Sequence, residues 1–240
     1  MKVFITGIEG FIGRSLADRL FMLGADVDGC DKATGTPVEE VAMIRDGADV
    51  VVHLAAIKDA RHPDPYLVWR ENLHATDHAL RLARQCEARF VFASSAAAKV
   101  PDSSAYAWSK RNGEKLVLEY GGTVLRFANV CGGGTGVLEK WADEDVITVY
   151  GDGNQTRDFV HVIDVVNALC LAIDSTAGDG EVIDICSGKQ TRILDVATRF
   201  GKDLRFAPAI SGEPQAIVQD PWMAWRTFGW EPLTPCLPNL

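Results

Sequence analysis

Tyr106 and Lys110 lie four residues apart in "PDSSAYAWSKRNGEK", residues 101–115, a stretch that reads as a helix. That spacing puts both side chains on one helix face, about 5–6 Å apart. A phenol titrates near 10, so a phenolate base at neutral pH needs about 4 kcal/mol of stabilisation. A nearby ammonium in a low-dielectric site supplies charge of the right sign. The spacing equally allows a tyrosine and a lysine that merely share a helix face. What surrounds the pair has to decide.

The elements that must position it follow a regular rhythm. "KVFITG" reads as a buried strand, and residues 11–23 carry Phe11, Ile12, Leu16, Leu20 and Leu23 at helical spacing. "DVDGCD" is a second strand, "ADVVVHLAA" a third, and residues 65–87 a long helix. "ARFVFASS" is a fourth strand, residues 103–120 a helix, and "TVLRFANV" a fifth strand. Strands that are apolar nearly throughout, alternating with helices, predict an α/β fold: a Rossmann-type doubly wound parallel sheet with helices on both faces. Past residue 131 glycine and proline become frequent, as in "YGDGNQ" and "APAISGEP". The expected division is a dinucleotide-binding domain over 1–130, to which 161–187 return through a helix (162–173) and the strand "EVIDICS". A smaller, loop-rich substrate-binding region over 131–240 completes it.

"TGIEGFIG" sets Gly7, Gly10 and Gly13 between the first strand and the first helix. The first glycine allows a tight turn, the second close approach of a pyrophosphate, and the third close packing of helix on strand. Asp31 follows eighteen residues after Gly13, at the end of the second strand. An acid there can bond both ribose hydroxyls of NAD and repels the 2′-phosphate of NADP. Lys32, next door, leaves some room for NADP, but NAD is the favoured cofactor.

Composition narrows the partners. The net charge of −9 argues against a nucleic-acid surface, which needs clustered Lys and Arg. No apolar run reaches the length of a membrane span, and the glycine-broken N-terminus with Glu9 does not read as a signal peptide. The six cysteines show no CxxC and lie mostly in apolar runs, so they read as reduced core residues of a cytoplasmic protein, with no metal set expected.

Taken in order, GxxGxxG, "DVVVHLAA", "FASSAA" and Tyr106-x-x-x-Lys110 resemble the extended short-chain dehydrogenase/reductases, in particular the NAD-dependent epimerase/dehydratase branch acting on nucleotide sugars. "LRFANVCGGG", "TVYGDGNQTRDFVHVIDVV", "SGK.T" and "FGWEP" extend the likeness along the chain. The resemblance implies that Tyr106 is the catalytic base, that Lys110 lowers its pKa and holds the nicotinamide ribose, and that Ser95 bonds the same substrate oxygen. It implies cofactor contacts at Ala55, Ala56, Lys58 and Asn72, with a solvated loop lysine and a capping asparagine as the plain readings of the last two. Asn129, Arg157 and Glu213 fall at positions that face the substrate, whereas His161 and Asp164 read as structural.

Departures from the family pattern concern the pocket. Only ten residues separate Ser95 from Tyr106, and the stretches from Asp31 to Asp49 and from Asn129 to Tyr150 are short. Ile210 stands where the family commonly has an arginine, and Ala96 and Ala97 leave no acid for a dehydratase. The resemblance therefore implies an NAD-dependent nucleotide-sugar epimerase, at C4, passing through a keto-sugar. A dehydrogenase or ketoreductase using the same residues is the alternative, and a non-catalytic NAD-binding module a more distant one. A homodimer through the helices at 65–87 and 103–120, with Leu80, Leu82, Leu116 and Leu118, is equally consistent with a monomer that buries them.

Overall fold

The computed structural model describes residues 1–133 and 136–236, so positions 134–135 and 237–240 of the expected C-terminal region lie outside the described residues. Its central sheet takes β1 (Lys2–Thr6), β2 (Asp26–Cys30), β3 (Val50–His53), β4 (Arg89–Ser95), β5 (Thr123–Phe127) and a late strand, Val182–Ile185. The strand order is Val182–Ile185, β5, β4, β3, β1, β2, and every pairing is parallel. The chain leaves β1 toward β2 on one side and crosses to β3 on the other. The crevice above β1 and β3 is therefore the topological switch point, where open α/β sheets bind ligands.

Alternation along the strands sends successive side chains to opposite faces. Val3, Ile5, Val50, Val52, Val91 and Leu125 pack one face against α1 (Phe11–Met22) and the later helix Val162–Asp174. Phe4, Val51, Phe90, Phe92 and Val124 pack the other against α2 (Pro65–Cys86) and α3 (Ala105–Tyr120). Helix starts follow local chemistry. Asp64 caps α2 by accepting from Leu67 N at 3.0 Å, with Pro65 in the first turn, and Ser104 caps α3 by accepting from Ala107 N at 3.1 Å.

The remaining elements form small pairs. β6 (Asn129–Cys131), α4 (Val137–Asp143), β7 (Val146–Tyr150), β8 (Thr156–Arg157), β9 (Phe159–His161) and α5 (Val162–Asp174) precede the late sheet strand, β10 (Val182–Ile185). β11 (Thr191–Arg192), α6 (Ile193–Thr198), β12 (Asp203–Ala207) and α7 (Trp222–Phe228) follow. β6 pairs with β9, β8 with β11 and β7 with β12. Asp164, expected to be structural, accepts from Leu233 N, Thr234 N and Thr234 Oγ1, tying α5 to the C-terminal segment.

Three expectations need correction, and one open alternative closes. The fifth strand is not continuous: it stops at Phe127, and Asn129–Cys131 leaves the main sheet for β9, because Ala128 N turns to Ile185 O while Asn129 N bonds Asp158 O. Helix α3 starts at Ala105, after a 3-10 turn at Pro101–Ser103. Of the two readings left open for Leu80 and Leu82, burial within the chain is the one seen: both pack in the core that α2 shares with the sheet and α3. Finally, Cys131 and Cys236 are disulfide-bonded, their Cα atoms 5.8 Å apart although 105 positions separate them in sequence. The C-terminal segment returns to the small core around β6, which brings the two thiols together. Cys30, Cys86, Cys170 and Cys186 are free.

Candidate active site

The glycine turn closes the crevice from the β1 side. Gly7 adopts φ +75°, and a Cβ there would lie 2.8 Å from Ala55 N, so only glycine lets this turn pack on the end of β3. A Cβ on Gly13 would lie 2.2 Å from Gly7 O, which explains the third glycine as helix-on-turn packing. Gly10 is the N-cap of α1 and offers no side-chain cap, and no acid occupies the first turn. The first N–H groups of the helix are thus left for an anion, the arrangement that suits a pyrophosphate. Asp31 sits beside the turn, where its Oδ2 accepts from Glu9 N at 3.0 Å and its Oδ1 from Ala33 N at 2.8 Å. Each carboxylate oxygen keeps a lone pair for a ribose hydroxyl. These residues fit an adenine dinucleotide.

Across the crevice, α3 meets the last three residues of β4 in turn. Lys110 Nζ donates to Ala93 O at 2.7 Å, Ser94 Oγ donates to Glu114 Oε1 at 2.6 Å, and the Ser95 side chain is near enough to the Tyr106 hydroxyl to lower its pKa. Lys110 is only 4% exposed, with its Nζ 4.8 Å from the Phe92 ring centre and 5.9 Å from that of Tyr106. Burial pushes Lys110 down to about 8, while Glu114 pulls it back up. Burial raises Tyr106, and Ser95 works against that rise. The protein by itself thus keeps Tyr106 as a phenol at neutral pH.

Several residues that sequence reasoning passed over hold this arrangement. His53, 1% exposed, stacks on Phe92 and lies between Thr6 Oγ1 (2.7 Å from Nδ1) and Thr76 Oγ1 (3.2 Å from Nε2). Thr76 gives its own proton to Asn72 O at 2.8 Å, so its oxygen accepts from His53 Nε2–H, and Nδ1 accepts from Thr6. The ring is neutral, since burial first and the Lys110 charge second push His53 down to about 3. No spacing in the sequence marks these partners, which come from β1, β3 and α2.

The other candidates divide into groups. Ala55 and Ala56 follow β3, and Ala55 N donates to Thr6 Oγ1 at 3.3 Å. Lys58 is exposed on the loop beyond. Asn72 is buried, and its amide is used inside the protein: Oδ1 accepts from Ile57 N at 2.8 Å, while Nδ2 donates to Ile57 O and to Ser109 Oγ, each at 3.0 Å. Asn129 is exposed at the start of β6. Arg157 and Glu213 come together at 2.7 Å, and Arg157 also donates to Thr156 O and Pro214 O. This corner approaches the catalytic connection, because a Cβ on Gly212 would lie 3.6 Å from Ser103 O. Arg61, on the loop after β3, stacks over Tyr150 at 5.2 Å and links that loop to β7.

A glycine turn at a sheet switch point, faced by a serine, tyrosine and lysine on the next crossover, defines the extended short-chain dehydrogenase/reductase class. Residues 3–186 match the NAD dependent epimerase/dehydratase family, and the chain belongs to it. An uncharacterized UDP-glucose epimerase of Bacillus subtilis is 26% identical over 298 positions, covering 98% of this chain and 94% of the relative. Since 298 positions exceed the 240 residues of the chain, the alignment carries gaps on this chain's side, in keeping with its short connections. A UDP-N-acetyl-alpha-D-glucosaminuronate decarboxylase of Bacillus cytotoxicus is 29% identical, covering 82% of this chain and 78% of that one. The solved UDP-glucose 4-epimerase of Thermus thermophilus, in complex with NAD, superposes with a TM-score of 0.82 at 27% identity, over 97% of this chain and 94% of that one.

Proposed function

We propose that the chain is an NAD-dependent nucleotide-sugar epimerase acting at C4 through a transient keto-sugar, with Tyr106 as base. The observation that carries this reading is the run of contacts from Ala93, Ser94 and Ser95 to Lys110, Glu114 and Tyr106 beside the glycine crevice. The relatives named for UDP-glucose epimerisation support it. Gly7, Gly10 and Gly13 would receive the pyrophosphate and Asp31 the adenosine ribose. Ala55, Ala56 and Lys58 would flank the cofactor, and Lys110 would reach the nicotinamide ribose. When bound, NAD supplies a hydride acceptor that can return the hydride to the other sugar face. Ser95 and Tyr106 share the reacting sugar oxygen, Tyr106 takes its proton, and the Lys110 ammonium stabilises the phenolate. Asn72 acts as a brace rather than a contact, since both its amide protons and one Oδ1 lone pair are taken by Ile57 and Ser109. Arg157 retains its Nε–H and one Nη2–H for phosphate oxygens, oriented by Glu213. Asn129 would lie beside the nucleotide.

A second reading, a dehydrogenase or ketoreductase with exchangeable NAD, is favoured by one observation: only ten residues separate Ser95 from Tyr106, a short connection beside the reacting groups. Ala96 and Ala97, in the turn after Ser95, supply no acid for elimination. NMR of UDP-glucose and UDP-galactose incubated with the protein, first without and then with added NAD(H), separates the two readings. Interconversion supports the epimerase. Turnover that consumes NAD(H) in step with product supports the second reading. Activity surviving in Tyr106→Phe would overturn both.

A further inference from the structure

Lys110 needs a charge that its surroundings oppose. Lys110 is 4% exposed, and among the described residues only the Ala93 carbonyl accepts from its ammonium at hydrogen-bond distance. One turn further along α3, Glu114 is buried to 1%. Its Oε1 accepts from Ser94 Oγ at 2.6 Å and Arg126 Nε at 2.7 Å, and its Oε2 from Arg126 Nη2 at 2.7 Å and Arg111 Nη1 at 3.4 Å. Four hydrogen bonds, two of them from one guanidinium fork, fix this carboxylate in place. A buried ion pair is weak evidence for stability by itself, because apolar residues of like volume often serve as well. Its placement calls for another account. Tyr106, Lys110 and Glu114 occupy successive turns of one helix face, and all three face the end of β4, at Ser95, Ala93 and Ser94 respectively.

We propose that Glu114 is a positioning residue for catalysis, the fixed negative charge that keeps Lys110 protonated beneath Tyr106. The proposal rests on the assignment of Lys110 given above. The groups facing Lys110 leave this part to Glu114. β3 presents His53, which is neutral, and β4 presents the Ala93 carbonyl and the Phe92 ring. α3 itself adds the Tyr106 phenol, and α2 packs uncharged Thr76 near Gly113. Arg126 of β5 is positive and bound to Glu114, so it cannot hold the ammonium.

The test titrates Lys110 in the protein without substrate or added cofactor, by NMR of [13Cε]lysine with the signal assigned through Lys110→Met. In Glu114→Gln the Lys110 midpoint should fall by about one pH unit from that of the wild type. The double variant Glu114→Gln/Arg126→Met leaves no unpaired buried charge and guards against misfolding of the single one. It should show a smaller fall in the same direction. Asp179→Asn, which breaks the distant Arg89–Asp179 pair, is destabilising and should leave Lys110 unmoved. An unchanged midpoint in the folded double variant would overturn the proposal, as would an equal fall in Asp179→Asn. Absent epimerase activity would sink the functional reading while leaving this titration intact.

Discussion

Asn72 and Ser109 join α2 to α3, with the Asn72 amide donating to the Ser109 hydroxyl at 3.0 Å. Ser109 in turn donates to the Tyr106 carbonyl at 2.8 Å, and the other contacts of Asn72 clamp Ile57. One side chain thus spaces the loop after β3 from the helix turn that carries the base. Asn72→Leu keeps the volume and leaves several buried groups without partners. We expect a loss of about 1–3 kcal/mol in urea unfolding. Turnover should drop about tenfold or more in conditions where the variant stays folded, through misplacement of Tyr106.

His53 makes stability depend on acid. Its folded pKa of about 3 lies below the ordinary 6.5, so its contribution is present in full above about pH 6.5 and is lost as pH falls toward 3. Urea unfolding of the wild type between pH 4 and 6 should therefore carry one proton more than that of His53→Gln. That is a slope steeper by about 1.4 kcal/mol per pH unit. Equal slopes would show that the ring is not buried neutral.

Lys110 sets an alkaline limit on turnover. With its pKa pushed down to about 8, the ammonium that supports the Tyr106 phenolate disappears above that pH. The rate should fall with an apparent pKa near 8, and Lys110→Met should abolish that limb along with about a hundredfold or more of activity. Lys110→Arg, which cannot deprotonate, tests the assignment from the other side. Its residual activity should show no alkaline limb.

On the proposed assignment, Asp31 governs the choice between cofactors. Asp31→Asn removes the charge that repels a 2′-phosphate while keeping the size of the side chain. Calorimetric titration should find NADP binding strengthened relative to NAD by about tenfold. An unaltered ratio would show that another group reads the ribose.

The Cys131–Cys236 bond closes a loop spanning 105 positions. Loop-closure arguments for so long a loop give about 2–5 kcal/mol. Cys236→Ser should lose stability of that order, and reduction should lower the wild type to nearly the same midpoint without affecting the variant. Intact-mass measurement before and after alkylation checks the bond directly.

What the sequence made legible was local. The glycine turn, Asp31, and the Tyr106–Lys110 spacing each declare themselves within a few residues, because turns, caps and helix faces are short-range devices. Much of what supports them is not short-range. His53 reads as one more residue of an apolar strand until Thr6 and Thr76 arrive from other elements. Glu114 reads as a surface acid of an amphipathic helix until Arg126 reaches it from β5. The break at Ala128 was hidden because the residues on both sides favour strand equally, and only the competing partners in β9 and β10 separate them. Leu80 and Leu82 stayed open between a dimer contact and the core, because apolar side chains on a helix do not say what covers them.

β2 closes its side of the sheet, with no strand paired outside it among the described residues. The short stretch after it forms only 3-10 turns, and Val38, Ile44 and Ala48 tuck under α2. An exposed parallel edge is a template on which another chain can polymerise. Here the edge strand is Asp26-Val27-Asp28-Gly29-Cys30, with both acids exposed, and Asp31 follows. A second copy approaching this edge would bring like charges together, on a chain already at −9. The carboxylate proposed to read the cofactor ribose thus stands in a row of acids that protects the sheet edge from growing.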